Sequence, residues 1–264
     1  MSKKIAIIGH GVVGQAYNAL FKDALIYDIA KESNTQEEIN KNADVALISV
    51  PTPMGDGGVC DLSAVEKSIK WLEVPLIVIK STVPVGTTKR LREESKKTII
   101  FNPEFLRAVS AAEDVLAEKD LIIGGSPSDA ETLIEAYNEA YDHQVSYHFT
   151  TSSNAEMIKY MRNCYLSTKV IFLNEMKDII DKMGLGFEEI RDLWVLDERV
   201  GSSHNQVPGP DGQLGYGGMC FPKDVNAMIH FAMDAGADPK LLKRVWDRNT
   251  EFREEFKDAH KYEK

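Results

Sequence analysis

Cys220 is the side chain of this sequence best suited to act as a nucleophile. It follows the glycine-rich run Gly215-Tyr216-Gly217-Gly218 and precedes a segment with a helical pattern. A thiol near a helix start with a lysine close by, here Lys223, has a lowered pKa, and the thiolate is the reactive form. The alternative is a small residue that fills space beside the glycines. Cys164, in an apolar helical segment, is predicted to be a core residue.

Lys159 and Asn163 form a second pair with chemical potential. They are four residues apart, so they share one face of a predicted helix. A lysine on an otherwise apolar helix costs stability unless its ammonium has a partner or a task. Two interpretations stay open: a cation with a task, or a surface lysine whose aliphatic chain covers apolar residues.

Three proline-containing polar segments follow predicted strands: Ser49–Pro53, Lys80–Thr87 and Asn102–Arg107. In an open α/β sheet, ligands bind at the carboxyl ends of the strands. For the first segment, a simple strand ending is an equally good interpretation. Thr82 and Glu104 are predicted to reach the crevice that holds the reactive part of a cofactor.

A glycine motif, Gly9-His10-Gly11-Val12-Val13-Gly14, stands between a predicted strand and a predicted helix. Gly9 allows a tight turn, Gly11 allows the backbone to approach a pyrophosphate, and Gly14 allows close packing of helix and strand. Asp28 ends the next predicted strand, where a carboxylate binds the ribose diol and repels a 2′-phosphate. The motif predicts a dinucleotide site that prefers NAD to NADP; the alternative is a glycine-rich turn without a ligand.

The first 150 residues alternate short apolar runs with helical stretches, which is typical of βαβ units. Because the runs are continuously apolar, the strands are predicted to be buried on both faces. The fold class is therefore α/β, a Rossmann-type doubly wound parallel sheet, with residues 1–150 as the cofactor domain. The predicted strands are Ile5–Ile8, Leu25–Tyr27, Val45–Val50, Leu76–Ile79, Thr98–Phe101 and Leu121–Ile123, and helices are predicted at Leu62–Trp71 and Ala130–Ala140.

A long helix, Ser153–Met183, is predicted to open a small helical domain over residues 151–264. Ser153 and Glu156 have the spacing of a capping box, and Gly184 ends the helix. The helix is apolar on most of its circumference, so it is predicted to be buried all round. Packing against a second copy in a homodimer is one way to bury it, and cover by later helices of the same chain is the other. Those helices are predicted at Phe187–Leu196, Val225–Ala235 and Pro239–Lys264, with a loop at Gly201–Gly218.

Composition narrows the function classes. The chain has 264 residues, 41 acidic and 31 basic, for a formal charge of −10. This balance argues against a nucleic-acid partner or an anionic membrane surface, and no apolar run approaches the roughly 20 residues of a membrane span. Three scattered cysteines predict neither a disulfide framework nor a metal site. With no pattern of a secretion signal at the amino terminus, the expected location is cytoplasmic.

Taken together, these motifs resemble the UDP-glucose/GDP-mannose dehydrogenase family of NAD-dependent oxidoreductases. The resemblance runs from Lys4 to about Arg253. It includes GxGxVG at 9–14, STVPVGT at 81–87, NPEFLR at 102–107, AExxKYxxNxxLxTK at 155–169 and GYGGxCFPKD at 215–224. It implies a four-electron oxidation of a nucleotide sugar such as UDP-glucose to its uronic acid.

The resemblance also implies individual roles. Cys220 would trap the aldehyde as a thiohemiacetal, Lys159 and Asn163 would stabilise the oxyanion, and Glu104 would act as acid or base. The implied catalytic residues are Cys220, Lys159, Asn163, Asp224, Glu104 and Thr82. The implied cofactor residues are Gly9, Gly11, Val12, Val13, Gly14, Asp28, Pro51, Thr52, Ser81, Thr82 and Lys223. The implied substrate residues are Glu104, Phe105, Leu106, Lys159, Asn163, Arg199, Tyr216, Gly217 and Cys220.

The chain also departs from the family pattern. The family's third domain, which binds much of the nucleotide, is not in this sequence, and Ala108-Val109 replaces the usual acidic-Gly pair after NPEFLR. Two other functions therefore remain as alternatives. One is a two-electron dehydrogenase of the 3-hydroxyacid type, which uses a similar Lys–Asn pair but has no use for Cys220. The other is a non-catalytic NAD-binding remnant.

Overall fold

The structure, a computed structural model, describes residues 2–31, 33–55, 58–259 and 262. The strands are β1 (Ile5–Ile8), β2 (Leu25–Tyr27), β3 (Val45–Ile48), β4 (Leu76–Ile79), β5 (Ile99–Phe101), β6 (Asp120–Gly124) and β7 (Ser146–Thr150). The helices are α1 (Val12–Leu20), α2 (Gln36–Asn42), α3 (Ser63–Trp71), α4 (Thr87–Ser95), α5 (Ala111–Leu116), α6 (Pro127–Ala140), α7 (Ser152–Lys182), α8 (Phe187–Trp194), α9 (Phe221–Asp234) and α10 (Lys240–Phe252).

The strands form one sheet with the order β2-β1-β3-β4-β5-β6-β7. β1 to β5 are parallel. The direction in which successive strands are added changes between β1 and β3, which is the order of a doubly wound fold. The predicted α/β class is confirmed. The carboxyl ends of β1, β3, β4 and β5 consequently lie along one edge of the sheet, where the polar segments of the sequence follow them.

The sheet carries a separate apolar core on each face because alternate residues of a strand point to opposite sides. Ile5 and Ile7 of β1 pack on the face covered by α1, α5 and α6. Ala6 and Ile8 pack on the face covered by α2, α3 and α4. Burial on both faces explains why these strands are continuously apolar rather than alternating.

The last two strands differ from the expected parallel sheet. β6 is antiparallel to β5 through Phe101 and Gly124, while β7 is parallel to β6. β7 was not predicted, since its residues Ser-Tyr-His-Phe-Thr lack an apolar run. β7 is an edge strand and is mostly exposed, so it needs less apolar character than the central strands.

The chain divides into two compact units. The first contains residues up to Pro53 and Cys60–Lys159; the second contains Met54–Val59 and residues from Tyr160 onward. In the second unit, Leu173 and Ile180 of α7 pack with Phe187 of α8 and with Val207. Among the described residues, no helix is long and apolar enough to cross a membrane.

The long helix α7 is continuous from Ser152 to Lys182, as predicted within a residue at each end. The predicted capping box is wrong, because Ser153 lies inside the helix. The backbone amide of Asn154 donates instead to Thr151 Oγ1 at 3.2 Å. The Glu156 carboxylate accepts hydrogen bonds from the amides of Gly86 (2.6 Å) and Thr88 (2.8 Å), and so caps the start of α4.

The prediction that α7 is buried all round is also wrong for the chain alone. Met161, Tyr165, Phe172 and Ile179 are between 48% and 63% exposed. Their spacing of four, seven and seven residues places them on one side of the helix. The other helices of the chain therefore leave an apolar stripe, residues 161, 165, 172 and 179, open to solvent.

The carboxyl-terminal helix is shorter than predicted. α10 ends at Phe252, and a single 3-10 turn, Glu254–Phe256, follows it. The predicted helix to Lys264 is therefore wrong after residue 252, and part of that stretch, 260–261 and 263–264, lies outside the described residues. The Arg253 side chain is buried and donates to Asp211 and to the Gly215 carbonyl. Such burial is not expected of the continuous charged helix that the sequence predicted.

Candidate functional site

The glycine motif forms the turn between β1 and α1 that the sequence predicts. Gly9 has φ +91°, and its amide donates to the Tyr27 carbonyl at 2.8 Å. A Cβ on Gly14 would lie 2.0 Å from the Gly9 oxygen, so only glycine lets the helix pack this closely. A Cβ on Gly11 would meet nothing within 4 Å, which leaves open space above the turn at the start of α1. The turn fits a dinucleotide, whose pyrophosphate the amides of Val12 and its neighbours would face.

Asp28 stands one residue beyond β2, beside the same turn. Its carboxylate accepts hydrogen bonds from the backbone amides of His10 (2.7 Å) and Ala30 (2.9 Å). These two bonds hold the pKa of Asp28 below its usual value despite partial burial. An ionised carboxylate at this position binds a ribose diol and repels a 2′-phosphate.

We expect Asp28→Ala to narrow the preference for NAD over NADP, since the charge that repels the 2′-phosphate is lost. Calorimetric titration of both nucleotides into both proteins measures the change. Asp44→Ala is a matched control, because the Asp44 carboxylate also accepts a backbone amide, that of Lys4 at 2.8 Å, but before the amino end of β3. Equal or tighter binding of NADP by the unaltered protein would contradict the role given to Asp28.

Hydroxyl groups form hydrogen bonds between the segments that follow β3 and β4. Thr52 Oγ1 donates to the Thr82 carbonyl at 2.8 Å, and Ser81 Oγ donates to the Val50 carbonyl at 2.7 Å. Ser81, Thr52 and Thr82 are buried, whereas Pro51 is exposed. The protons of Thr52 and Ser81 are thus committed to the protein, and these two side chains can offer a ligand only acceptor lone pairs.

Glu104 and Lys159 form a buried ion pair in the first unit. Lys159 Nζ donates to Glu104 Oε1 at 2.7 Å and to the Glu104 carbonyl at 2.6 Å. Lys159 is 4% exposed and Glu104 is 7% exposed, so the surface-lysine interpretation is wrong. Burial acts to raise the pKa of Glu104, but the Lys159 ammonium and the amide of Leu106 outweigh it, and the pKa lies below its usual value. Lys159 Nζ also lies 5.6 Å from the centre of the Phe105 ring.

Asn163, one turn further along α7, belongs to a polar cluster in the second unit. Its Nδ2 donates to Asp224 Oδ2 at 2.5 Å, and Lys223 Nζ donates to the other Asp224 oxygen. Asn163 and Asp224 are buried. Lys223 was predicted to place a positive charge near the thiol, and the Asp224 carboxylate offsets that charge in part.

Cys220 directly precedes α9, which begins at Phe221, and occupies its N-cap position without a side-chain capping hydrogen bond. Cys220 is exposed, whereas Cys164 is buried, as predicted for a core thiol. Burial raises the pKa of Cys164 to about 12, so that thiol stays protonated at neutral pH. Among the three cysteines, all of which are described, Cys220 is therefore the most accessible to a reagent or a substrate.

The loop before Cys220 is held by buried side chains that the sequence analysis did not single out. Asn174 Oδ1 accepts from the Gly215 amide at 3.0 Å. Asn249 accepts from the Tyr216 amide at 2.7 Å and donates to the Tyr216 carbonyl at 2.9 Å. A Cβ on Gly217 would lie 2.7 Å from the Arg253 guanidinium. The sequence offered one signal for these residues. Asn174 and Asn249 each lie inside a predicted helix, although asparagine is a poor helix former.

Arg199 lies in a turn that is anchored by α7. Its side chain is exposed and forms an ion pair with Asp197. Lys169, buried on α7, donates to the carbonyls of Val200 (2.9 Å), Gly201 (2.7 Å) and Ser203 (2.6 Å). The three bonds satisfy the three donors of the Lys169 ammonium and fix the backbone that follows Arg199.

The mostly parallel sheet, together with the glycine turn after β1 and the carboxylate after β2, defines a Rossmann-type dinucleotide-binding protein. More specifically, the chain belongs to the UDP-glucose/GDP-mannose dehydrogenase family. Residues 18–144 match the NAD binding domain of that family, and residues 153–251 match its central domain. NAD is accordingly the cofactor of the first unit.

Individual relatives agree with this assignment. UDP-glucose 6-dehydrogenase of Rickettsia typhi is 35% identical over 239 residues, which are 86% of this chain and 54% of the relative. The Bacillus subtilis enzyme TuaD is 34% identical over 220 residues, which are 78% of this chain and 46% of the relative. This chain thus spans about half the length of the curated relatives it matches.

Solved structures show the same fold. A UDP-glucose dehydrogenase from the archaeon Pyrobaculum islandicum superposes with a TM-score of 0.80 at 25% identity, over 95% of this chain and 68% of that one. A 3-hydroxyisobutyrate dehydrogenase of Mycobacterium tuberculosis superposes with a TM-score of 0.69 at 17% identity, over 94% and 92% of the two chains. The second likeness shows the fold alone.

Proposed function

We propose that this chain carries out the NAD-dependent four-electron oxidation of a nucleotide sugar, UDP-glucose to UDP-glucuronate, through a covalent adduct on Cys220. The observation that carries the proposal is the exposed thiol at the start of α9, in a unit that also holds the buried Asn163–Asp224 pair with Lys223 bound to it. In this proposal residues 1–150 bind the cofactor, and residues 151–264 carry Cys220 and the dimer contact.

The proposed chemistry needs a nucleophile, a cation and a base. The primary alcohol loses a hydride and a proton to give an aldehyde, and the Cys220 thiolate adds to the aldehyde carbon to give a thiohemiacetal. Loss of a second hydride and proton gives a thioester, which water cleaves to the carboxylate and the free thiol. NAD, when bound, accepts one hydride in each oxidation, so two molecules are used in turn.

Individual side chains are proposed to carry out the steps of this reaction. The Lys159 ammonium and the Asn163 amide stabilise the oxyanion that forms at each addition. Glu104, held ionised by Lys159, takes the proton of the water that cleaves the thioester. Thr82 orders this water, Asp224 orients Asn163 and Lys223, and Arg199 binds the substrate from its exposed turn.

The number of NADH molecules formed per UDP-glucose tests this proposal against its alternatives. We expect two NADH and one equivalent of UDP-glucuronate. A two-electron dehydrogenase of the 3-hydroxyacid type would give one, and a non-catalytic NAD-binding remnant would give none. The two-electron reaction ranks second because it does not use the Cys220 thiol.

The proposal includes a homodimer joined through α7. The apolar stripe of residues 161, 165, 172 and 179 has the spacing of a helix–helix seam, and burying it removes apolar area from water.

The cytoplasm stays the proposed compartment, since none of the three cysteines, all described, is in a disulfide.

We expect light scattering to give the mass of a dimer at micromolar concentration and the mass of a monomer for Phe172→Glu, because a carboxylate would be buried in the seam. Leu116→Glu is the matched control: Leu116 is 47% exposed and Phe172 is 49% exposed, but Leu116 lies on α5. A monomer in the unaltered protein, or a dimer that survives Phe172→Glu, would refute the seam.

A further inference from the structure

Lys80 is a fully buried lysine that the proposed mechanism does not use. It follows β4 directly, precedes Ser81, and is 1% exposed. Its Nζ donates to Asn102 Oδ1 at 2.8 Å and to the Tyr137 hydroxyl at 3.4 Å, and it lies 3.9 Å from the centre of the Tyr17 ring. Within the described part of the chain, no carboxylate oxygen is within 4.0 Å of this ammonium.

A buried cation with neutral partners is unfavourable for the fold. Burial lowers the pKa of Lys80 to about 7, and the more distant carboxylates of Glu118 and Glu104 oppose this shift only in part. A methionine has nearly the same length and would occupy the site without this cost. Ionisable groups whose pKa is strongly shifted by burial are concentrated at functional sites.

The position of Lys80 connects it to the candidate site of the first unit. Asn102 directly follows β5, and its Oδ1 also accepts from the Tyr137 hydroxyl at 2.7 Å, while its Nδ2 donates to the Ile122 carbonyl at 2.7 Å. Only Pro103 separates Asn102 from Glu104. Lys80 therefore joins the end of β4 to the turn that carries the Glu104 carboxylate.

We propose that Lys80 is a positioning residue for Glu104: its ammonium fixes Asn102, and with it the turn that carries Glu104, and its buried charge acts on that carboxylate together with Lys159. The proposal rests on the proposed function, in which Glu104 is the base.

The Glu104 carboxylate interacts with four ionisable groups from different elements. Lys159 on α7 binds it directly and Lys80 acts from the end of β4, whereas the Glu104 carboxylate in turn helps to raise the pKa of Glu118, after α5, and of Tyr17 on α1. Burial raises the pKa of Glu104, whereas Lys159 and then Lys80 lower it. Below pH 7 the Lys80 ammonium is charged, so its removal raises the pKa of Glu104 in the range where that carboxylate titrates.

Lys80→Met tests the proposal, with Lys97→Met as a matched control. Lys97 is a partly buried lysine of the same unit and follows the carboxyl end of α4. Its Nζ donates to the carbonyls of Ile69 and Leu72 and to the Glu73 carboxylate. For Lys80→Met we expect an unfolding temperature equal to or above that of the unaltered protein, because Asn102 Oδ1 keeps the Tyr137 bond. We expect kcat to fall about a hundredfold, as for a misplaced catalytic group, with KM for the sugar nucleotide little changed. Lys97→Met should show the opposite: a lower unfolding temperature and an unchanged kcat.

A readout that does not need turnover separates this proposal from the proposed function. The carboxyl carbon of Glu104, assigned with Glu104→Gln, is titrated by ¹³C NMR in the unaltered protein and in Lys80→Met. We expect a higher pKa of Glu104 in Lys80→Met. An unchanged pKa, or a kcat that falls only with the folded fraction, would overturn the role of Lys80. A raised pKa in a protein that makes no NADH from UDP-glucose would support that role and reject the proposed function.

Discussion

Cys220→Ser is expected to abolish the conversion of UDP-glucose to UDP-glucuronate. Serine keeps the size and hydrogen bonding of cysteine, but its hydroxyl is a poor nucleophile and its ester is harder to cleave than a thioester. Without the thiohemiacetal, the second oxidation has no good hydride donor, so at most one hydride per active site is transferred. The amount of NADH in the first turnover and the mass of the sugar product measure this result.

Cys60→Ser is the control for this substitution. Cys60 is a half-buried thiol that makes long contacts of 3.9 Å and 4.0 Å to backbone carbonyls of Thr52 and Thr82. A hydroxyl can replace those contacts, so near-normal turnover is expected. Two NADH per sugar nucleotide at an unaltered rate in Cys220→Ser would reject the covalent mechanism, whereas one NADH per sugar nucleotide in the unaltered protein would favour the two-electron reaction.

Lys159→Ala is expected to slow turnover by a factor on the order of 10²–10³, the typical loss when one oxyanion stabiliser is removed. A second effect follows from the ion pair. Without the Lys159 ammonium the pKa of the buried Glu104 rises, so the acid limb of the pH profile of kcat moves to higher pH. Steady-state kinetics between pH 5 and pH 9 measure both effects.

Two further variants separate the chemical role of Lys159 from its effect on stability. Breaking a buried ion pair leaves an uncompensated charge, so Lys159→Ala will also lower the free energy of unfolding. Adding Glu104→Gln removes that charge and should restore stability but not the rate. Lys177→Ala breaks another Lys–carboxylate pair of α7, 2.7 Å from Asp181 but partly exposed, and should leave kcat unchanged. A Lys159→Ala protein with a near-normal rate would show that Lys159 has only a structural role.

Features that depend on neighbouring residues were predictable from the sequence. The turn at Gly9 and Gly14 follows from backbone sterics within six residues. β1, β3, β4 and β5 were found because strands buried on both faces need continuous apolar runs. The length of α7 followed from thirty residues without proline or glycine. The exposure of its apolar stripe did not follow, because the periodicity of a helix says which face is apolar and not what covers it.

The sequence by itself determined the α/β fold, the dinucleotide turn and which residue types could do chemistry. Only the tertiary structure decided which of these residues meet. Lys159 was either a surface lysine or a functional cation until its ammonium was seen on Glu104, 55 residues away in the chain. Glu156 was assigned to the start of its own helix, yet its carboxylate caps α4, about 70 residues earlier. Lys80 was predicted only as the first residue of a polar segment after a strand, because its burial against Asn102 and Tyr137 depends on three elements packed together. Turns and periodicity depend on sterics between near neighbours, whereas the partner of a buried charge depends on long-range packing.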